Sequence, residues 1–171
     1  MPIQRLNHAV LYVRDVTKAV AFYGDVLGFK VVMEMRGQAA FLQAAGSTND
    51  HDLGLFAIGA QAADSPAGSS AVGLYHLAWE VDTLGELRAI RARLLQHGAL
   101  VGESDHGTTK ALYARDVDGI EFEVCWLVPA DRLTDQLRAD KAARPLDLDA
   151  EVDSYGADLR GGIGVSVAAP H

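Results

Sequence analysis

The chain contains one secondary-structure pattern twice, and a duplication of that kind limits the fold more than any other feature. Residues 5–30 read RLNHAVLYVRDVTKAVAFYGDVLGFK, and residues 73–99 read GLYHLAWEVDTLGELRAIRARLLQHGA. Both open as a strand carrying a histidine, turn at an aspartate, continue as an amphipathic helix and stop at glycine. In the first copy the apolar run from His8 to Val13 predicts a strand buried on both faces. Asp15 can cap the following helix, because its carboxylate accepts from free N–H groups of the first turn. Ala19, Val20, Phe22, Tyr23, Val26 and Leu27 recur at helical spacing, and Gly28 supplies the left-handed end. In the second copy Thr83 and Glu86 have capping-box spacing. Leu84, Leu87, Ile90, Leu94 and Leu95 form its apolar face, and Gly98 ends it.

Three short strand candidates follow each helix, at about 29–35, 39–45 and 52–58, then at about 99–104, 109–115 and 120–127. The class is therefore α+β, built from two βαβββ modules. The boundaries expected are about 3–58 for module 1, 59–73 for a linker containing AADSPAGSS, and about 74–128 for module 2. Residues 129–171 read as a C-terminal arm, helical over 131–143 and then irregular. The arm is expected to pack on the body as a lid, with residues 130–160 free to cross to a partner subunit.

Composition narrows the function. With 171 residues, 49% of them hydrophobic, the chain can bury a core as one ordinary domain holding two half-size modules. Its formal charge is −8 and it shows no basic cluster, which argues against a nucleic-acid partner. Cys125 is the single cysteine, so no intrachain disulfide is possible, as suits a reducing cytoplasm. The opening Met1-Pro2-Ile3-Gln4-Arg5 lacks the apolar stretch of a signal peptide, and no run of ~18 apolar residues could span a bilayer. The expectation is a cytoplasmic protein without a membrane partner.

Six histidines are present: His8, His51, His76, His97, His106 and His171. A lone histidine in an apolar strand is usually a satisfied core residue. His8 and His76, however, stand at equivalent places in the two copies, where a pseudo-twofold would bring both first strands together. The segment from Ile120 to Trp126 alternates, so Glu121, Glu123 and Cys125 share one face. An acid facing an apolar cup is costly unless it is paired or bound to a cation. Glu121, beside the turn at Asp118-Gly119, is expected on a solvated stretch, which leaves Glu123. Two imidazoles and one carboxylate compose the facial triad of non-haem Fe(II) oxygenases. His8, His76 and Glu123 are therefore the expected metal ligands. His97, before a helix-ending glycine, reads as a capping residue. Cys125 reads as packing, and Trp79 and Trp126 as core beneath the helices.

These features together resemble the vicinal oxygen chelate superfamily, which includes glyoxalase I, bleomycin-resistance proteins and extradiol ring-cleaving dioxygenases. The markers are Asn7-His8, the run from Phe22 to Phe29, Tyr75-His76-Leu77-Ala78, and the run from Tyr113 to Gly119 leading to Glu123, with Val117 where the family usually has proline. The resemblance covers about Leu6 to Trp126 and is nearest to small catechol 2,3-dioxygenase-like members. It implies that the modules form an open, cupped mixed β-barrel with helices outside, and that subunits pair as a homodimer. Glyoxalase I-type members generally place a fourth protein ligand in the first module. Glu123 lies 47 positions after His76 (123 − 76), and the same step from His8 reaches Leu55, between Gly54 and Phe56. None of these three can ligate, so three ligands with open coordination are expected.

The segment from His51 to Leu55 resembles the stretch of extradiol dioxygenases that carries an acid–base histidine. Asp105-His106-Gly107-Thr108-Thr109 with Tyr113 resembles their active-site loop and tyrosine. The implied activity is an Fe(II) extradiol dioxygenase acting on a catechol-like diol with O2. His51 would be its acid–base group, His106 would position the distal hydroxyl, and Tyr113 would bond the substrate oxygen. The alternative is a metal-dependent lyase, isomerase or epimerase using Mn(II), Zn(II), Ni(II) or Co(II) as a Lewis acid. An aromatic drug-binding resistance protein ranks third, since it would leave His8, His76 and Glu123 a coincidence.

Overall fold

A computed structural model describes residues 2–3, 5–67, 70–140 and 142–162, so His171 lies outside the described residues. The described residues divide into two units: those up to Pro66 with Asp116–Ile120, and Ala67–Arg115 with those from Glu121 onward.

The first unit grows from its helix. Asp15 is extended and its side chain accepts from the Lys18 N–H, starting helix α1 (Val16–Leu27), and Gly28 at φ 74° ends it in the left-handed region. Strand β1 (Ala9–Val13) precedes it, and β2 (Lys30–Met35), β3 (Ala39–Gln43) and β4 (Leu53–Ala57) follow. The sheet runs β1-β4-β3-β2, with β1 parallel to β4 and the other pairs antiparallel. One face is core: Leu11, Val13, Ala40, Leu42, Leu53 and Leu55 are buried, as are Val16, Ala19, Phe22, Tyr23 and Val26 of α1. The expectation that β1 is buried on both faces is wrong. Val10 is 51% and Tyr12 70% exposed, because a strand alternates its side chains and only the Leu11–Val13 side is buried.

The turn Asp116–Ile120 belongs to this unit. The Asp116 carboxylate accepts from the Asp118 and Ile120 N–H groups at 2.9 Å and from the Tyr23 hydroxyl at 3.0 Å. Burial raises the Asp116 carboxyl above its ordinary value, and burial together with Asp116 raises the Tyr23 phenol well above its own. Arg14 adds a second tie, its guanidinium donating to Asp118 at 3.0 Å.

The second unit repeats the order: β5 (Leu77–Glu80), helix α2 (Leu84–Gln96), β6 (Leu100–Asp105), β7 (Thr109–Arg115) and β8 (Glu121–Leu127), in the sheet order β5-β8-β7-β6. The Thr83 side chain accepts from the Glu86 N–H at 3.1 Å, as its spacing predicts. Leu84, Leu87, Ile90 and Leu94 are buried with Leu112, Phe122, Val124 and Trp126. Leu95 is a correction: it is 52% exposed, since one residue beyond Leu94 turns about 100° around the helix and off the apolar stripe.

The arm also departs from expectation. In place of one helix over 131–143 there is a 3-10 turn (Ala130–Arg132) and a short helix α3 (Asp135–Ala139). The stretch read as irregular contains a further helix, α4 (Leu148–Tyr155). Asp147 caps α4 by accepting from the Ala150 N–H at 3.0 Å, a signal the sequence carried unread. Residues 144–162 lie on their own unit. The Gly85 N–H donates to the Ala157 carbonyl at 2.8 Å, and Tyr155 packs on Trp126 at 5.4 Å between ring centroids. A Cβ at Gly161 would clash with Trp126 Nε1, so only glycine fits there.

Candidate active site

The second unit gathers most of the expected site. Its parallel β5–β8 pairing sets Ala78 opposite Glu123, and antiparallel β7 sets Tyr113 opposite Glu123 from the other side. Residues in register share a face, so Tyr113 and Glu123 project together, with His76 two residues before Ala78 on the same side. His76 Nε2 lies 3.2 Å from Glu123 Oε2. Tyr113 meets the His76 ring edge-on at 5.9 Å, and its hydroxyl lies 3.0 Å from His106 Nε2. His106 stands in the β6–β7 turn, which Gly107 makes possible with φ 75°. Burial and the nearby Glu123 charge raise the Tyr113 phenol, so it stays protonated at neutral pH.

The same face corrects one expectation and adds two residues. Glu121 is not on a solvated stretch: its side chain is 17% exposed and pairs with Arg115 at 3.4 Å. It also holds the Tyr75 hydroxyl, and that hydrogen bond raises the Tyr75 phenol. Tyr75 packs on His76 at 4.7 Å, and Glu80 stands opposite Cys125. Both were within reach of the sequence, since Tyr75 adjoins His76 and Glu80 shares its parity along β5. Burial, with Glu123 and Glu80 nearby, pushes the Cys125 thiol up to about 12, so it stays protonated and is no nucleophile.

The first unit pairs the other two histidines. The His8 and His51 rings lie 4.5 Å apart between centroids, and Phe41 meets His51 edge-on at 5.1 Å. His8 Nδ1 is 2.8 Å from Asn7 Oδ1, and His51 Nδ1 is 3.2 Å from Asp50. The turn before His51 is fastened by Asp52, whose carboxylate accepts from Ala44 N–H, the Ser47 hydroxyl and the Asn49 amide. Asn49 in turn donates to the Asn7 carbonyl at 2.8 Å, which ties the His51 turn to the segment bearing His8.

The register also corrects the expected equivalent of Glu123. Ala78 pairs with Glu123 in β5–β8, and Val10, two residues after His8, pairs with Gly54 in β1–β4. The equivalent is therefore Gly54 rather than Leu55, because the connection is one residue shorter in the first copy. Leu55 points into the core, fully buried. Glycine has no side chain to offer a metal.

The His76–Glu123 pair fits a metal. Two donors in adjacent positions, each about 2.1–2.2 Å from one ion, lie about 3 Å apart, close to the 3.2 Å between Nε2 and Oε2. His76 Nδ1 is buried without a hydrogen-bond partner, so hydrogen bonding in this unit does not complete the histidine. Among the described residues no three His, Cys, Asp or Glu side chains gather into a ready metal cluster. Each unit holds part of the expected set: His76 and Glu123 in one, His8 in the other.

Residues 5–124 match the model of the Glyoxalase/Bleomycin resistance protein/Dioxygenase superfamily. A catechol-2,3-dioxygenase of Bacillus subtilis (strain 168) is 31% identical over 151 residues, covering 88% of this chain and 50% of its own length. This chain thus spans about half of that relative. A solved lactoylglutathione lyase from Agrobacterium tumefaciens is 26% identical with a TM-score of 0.54, covering 73% of this chain and 95% of its own. A fosfomycin resistance protein from Listeria monocytogenes, solved with Mn(II) and 1S,2S-dihydroxypropylphosphonic acid, is 21% identical with a TM-score of 0.54. It covers 72% of this chain and 90% of its own, a likeness of fold.

Proposed function

Because this chain belongs to the Glyoxalase/Bleomycin resistance protein/Dioxygenase superfamily, we propose that it is a metal-dependent extradiol-type dioxygenase that opens the ring of a catechol-like diol with O2. The observation that supports this most is the Tyr113–His106 couple, 3.0 Å apart, on the face that carries the His76–Glu123 pair. A phenol and an imidazole joined in this way offer two adjacent hydrogen-bonding points, which suits two adjacent hydroxyls. The identity to a catechol-2,3-dioxygenase supports the same choice.

The proposed cofactor is Fe(II), and Mn(II), Zn(II), Ni(II) and Co(II) also suit the donor set. His76 and Glu123 would hold it, with His8 as third protein ligand. When bound, the ion supplies positive charge that lowers the pKa of a diol hydroxyl and offers open positions to the reactants. Tyr113, kept protonated, donates to the substrate oxygen while its own oxygen accepts from His106 in the Nε2-protonated tautomer. His106 positions the distal hydroxyl, and His51 is the acid–base group.

A metal-dependent lyase, isomerase or epimerase is the second reading, favoured by the 26% identity to a lactoylglutathione lyase. Against it stands Gly54, which leaves the first copy without a side-chain ligand at the position matching Glu123. The discriminating experiment is anaerobic Fe(II) loading, then a screen of catechols for oxygen consumption and a yellow product. Uptake of O2 with ring opening supports the dioxygenase. Metal-dependent turnover without O2 replaces it with the second reading.

The proposed assembly is a homodimer, since each open sheet has edges to cover, and sedimentation as a monomer at micromolar concentration would overturn it. Among the described residues no helix is long and apolar enough to cross a membrane. The proposed setting is the cytoplasm, where Fe(II) and the Cys125 thiol stay reduced.

A further inference from the structure

The 5–124 segment that matches the family ends before the arm, yet the arm grips the turn that carries His106. Asp105 and Arg144 exchange two backbone hydrogen bonds, at 2.8 and 2.9 Å. Asp105 Oδ1 accepts from the Gly107 N–H at 2.8 Å and from Lys110 Nζ at 2.6 Å. Lys110 Nζ reaches Glu151 of α4 at 3.1 Å, and its side chain is only 4% exposed. On the far side of the turn, the space a Cβ would take at Gly107 is bounded by the Leu137 and Asp140 carbonyls of the arm, at 3.7 and 3.8 Å. The residues before and after His106 are both held.

A buried ion cluster is a poor source of stability, since apolar residues of the same volume often stabilise as well or better. What it supplies is direction: an ammonium between two carboxylates tolerates few arrangements. We infer that Lys110 and Glu151 are positioning residues that, through Asp105, hold the His106 imidazole on the Tyr113 hydroxyl, so that the arm sets the geometry of the substrate-binding couple. The part given to that couple rests on the dioxygenase reading; the placement of the His106 ring does not.

The test uses the full isotopically labelled chain, without metal or substrate, and reads each histidine ring by long-range side-chain NMR correlations. Tyr113→Phe marks the signature of a His106 ring that has lost its hydroxyl partner. Glu151→Ala should move the His106 signals the same way and leave His8 and His51 in place, with the far-UV circular dichroism of the wild type. Glu151→Gln, which keeps the size and an acceptor oxygen, should restore most of the wild-type pattern. Arg88→Ala, which cuts the Arg88–Asp149 contact of the same helix at 3.7 Å, should leave His106 unmoved. Unchanged His106 signals in a folded Glu151→Ala protein would overturn the inference, as would an equal shift in Arg88→Ala. If Glu151→Ala does not fold, Glu151→Leu, which keeps the volume and removes the acceptor, decides: a shift confined to His106 supports the inference, and no shift overturns it. In active, metal-loaded enzyme the same variant should lose about 10–100-fold in kcat, the scale of outer-shell supports, with metal content unchanged. If the His106 shift occurs and no catechol consumes oxygen, the positioning stands and the dioxygenase reading falls.

Discussion

The two units share one backbone plan and differ in what that plan presents. In the first, the open sheet face carries Val10, Tyr12, Phe41, Gly54 and Phe56; in the second, the matching register positions carry Ala78, Glu80, Tyr113, Glu123 and Cys125. Only the histidine two residues before Val10 and Ala78 is the same in both. The helix-facing sides are alike and apolar, Leu11 and Leu55 in one and Val124 and Leu112 in the other. Among these positions the polar differences lie on the open face. A duplicated core preserves the fold, and single differences on the open face, glycine against glutamate or phenylalanine against tyrosine, set apart the unit that carries more of the proposed site.

The largest effect expected from that asymmetry is on metal content. His76→Ala combined with Glu123→Ala should reduce bound Fe(II), measured by elemental analysis after anaerobic loading and desalting, to background in a protein that still folds. His8→Ala combined with His76→Ala should do the same. Glu121→Gln should keep its metal, because that carboxylate is occupied by Tyr75 and Arg115. A stoichiometric ion in the first double variant would show that the second unit does not lead the metal site.

Next in size is the pair at matching positions, Phe41 and Tyr113. Tyr113→Phe and His51→Ala should each keep the metal and lose about 10²–10⁴-fold in turnover, the usual worth of positioned acid–base groups. Phe41→Leu should leave turnover in place and cost stability, about 1 kcal/mol. If both Tyr113→Phe and His51→Ala keep full activity on the true substrate, the extradiol mechanism is wrong and the lyase or isomerase reading takes its place.

Where sequence reasoning succeeded, the signal was local. Asp15, Gly28, Thr83 and Gly98 act within one turn of chain, and the strand limits follow from period-two patterning. Where it failed, the deciding contact lay far along the chain. The exposure of Val10 and Tyr12 depends on which face of a sheet a helix covers, and an apolar run of residues cannot disclose that. Glu121 reads as solvated until Tyr75, some forty-five positions earlier, is seen to reach it. The placement of Gly54 opposite Val10 depends on loop lengths that shift a register by one, and a register fixes which face every later residue takes. The arm was misread because α4 is short and its cap, Asp147, is one acid among many.

A third expectation concerns the anchor that the first unit has in Tyr23. Tyr23→Phe removes a hydrogen bond to a buried carboxylate and leaves Asp116 with two backbone donors. A bond to a charged group is worth about 1.5–3 kcal/mol, and urea unfolding should show a loss of that order. A loss below about 0.5 kcal/mol, the scatter of ordinary surface changes, would mean that the Asp116–Ile120 turn is not fastened through Tyr23.

The smallest effect compares how the two units fasten their histidine-bearing turns. Each uses an aspartate next to the histidine: Asp52 beside His51 and Asp105 beside His106. Burial works against the charge in both. Hydrogen bonds from Ala44, Ser47 and Asn49 outweigh it at Asp52, and those from Lys110 and Gly107 outweigh it at Asp105, so both carboxyls are held below their ordinary value. A carboxyl that is lower in the folded state stabilises the fold at every pH above its unfolded value of about 3.9, and that contribution is lost as pH falls through the folded value. Stability measured by urea unfolding should therefore decline below about pH 4, and Asp52→Asn and Asp105→Asn should each make the decline shallower. The two should differ near neutrality. Asp52 has mainly neutral donors, and an amide oxygen can still accept from them, so Asp52→Asn should change little there. Asp105→Asn exchanges a charge-assisted bond from the buried Lys110 ammonium for one to a neutral acceptor, and charge-assisted bonds are the stronger kind, so it should already be destabilised at pH 7. Equal stability of the two variants at neutral pH would break the contrast, and an acid limb unchanged by either would show that these turns are not held by ionised carboxylates.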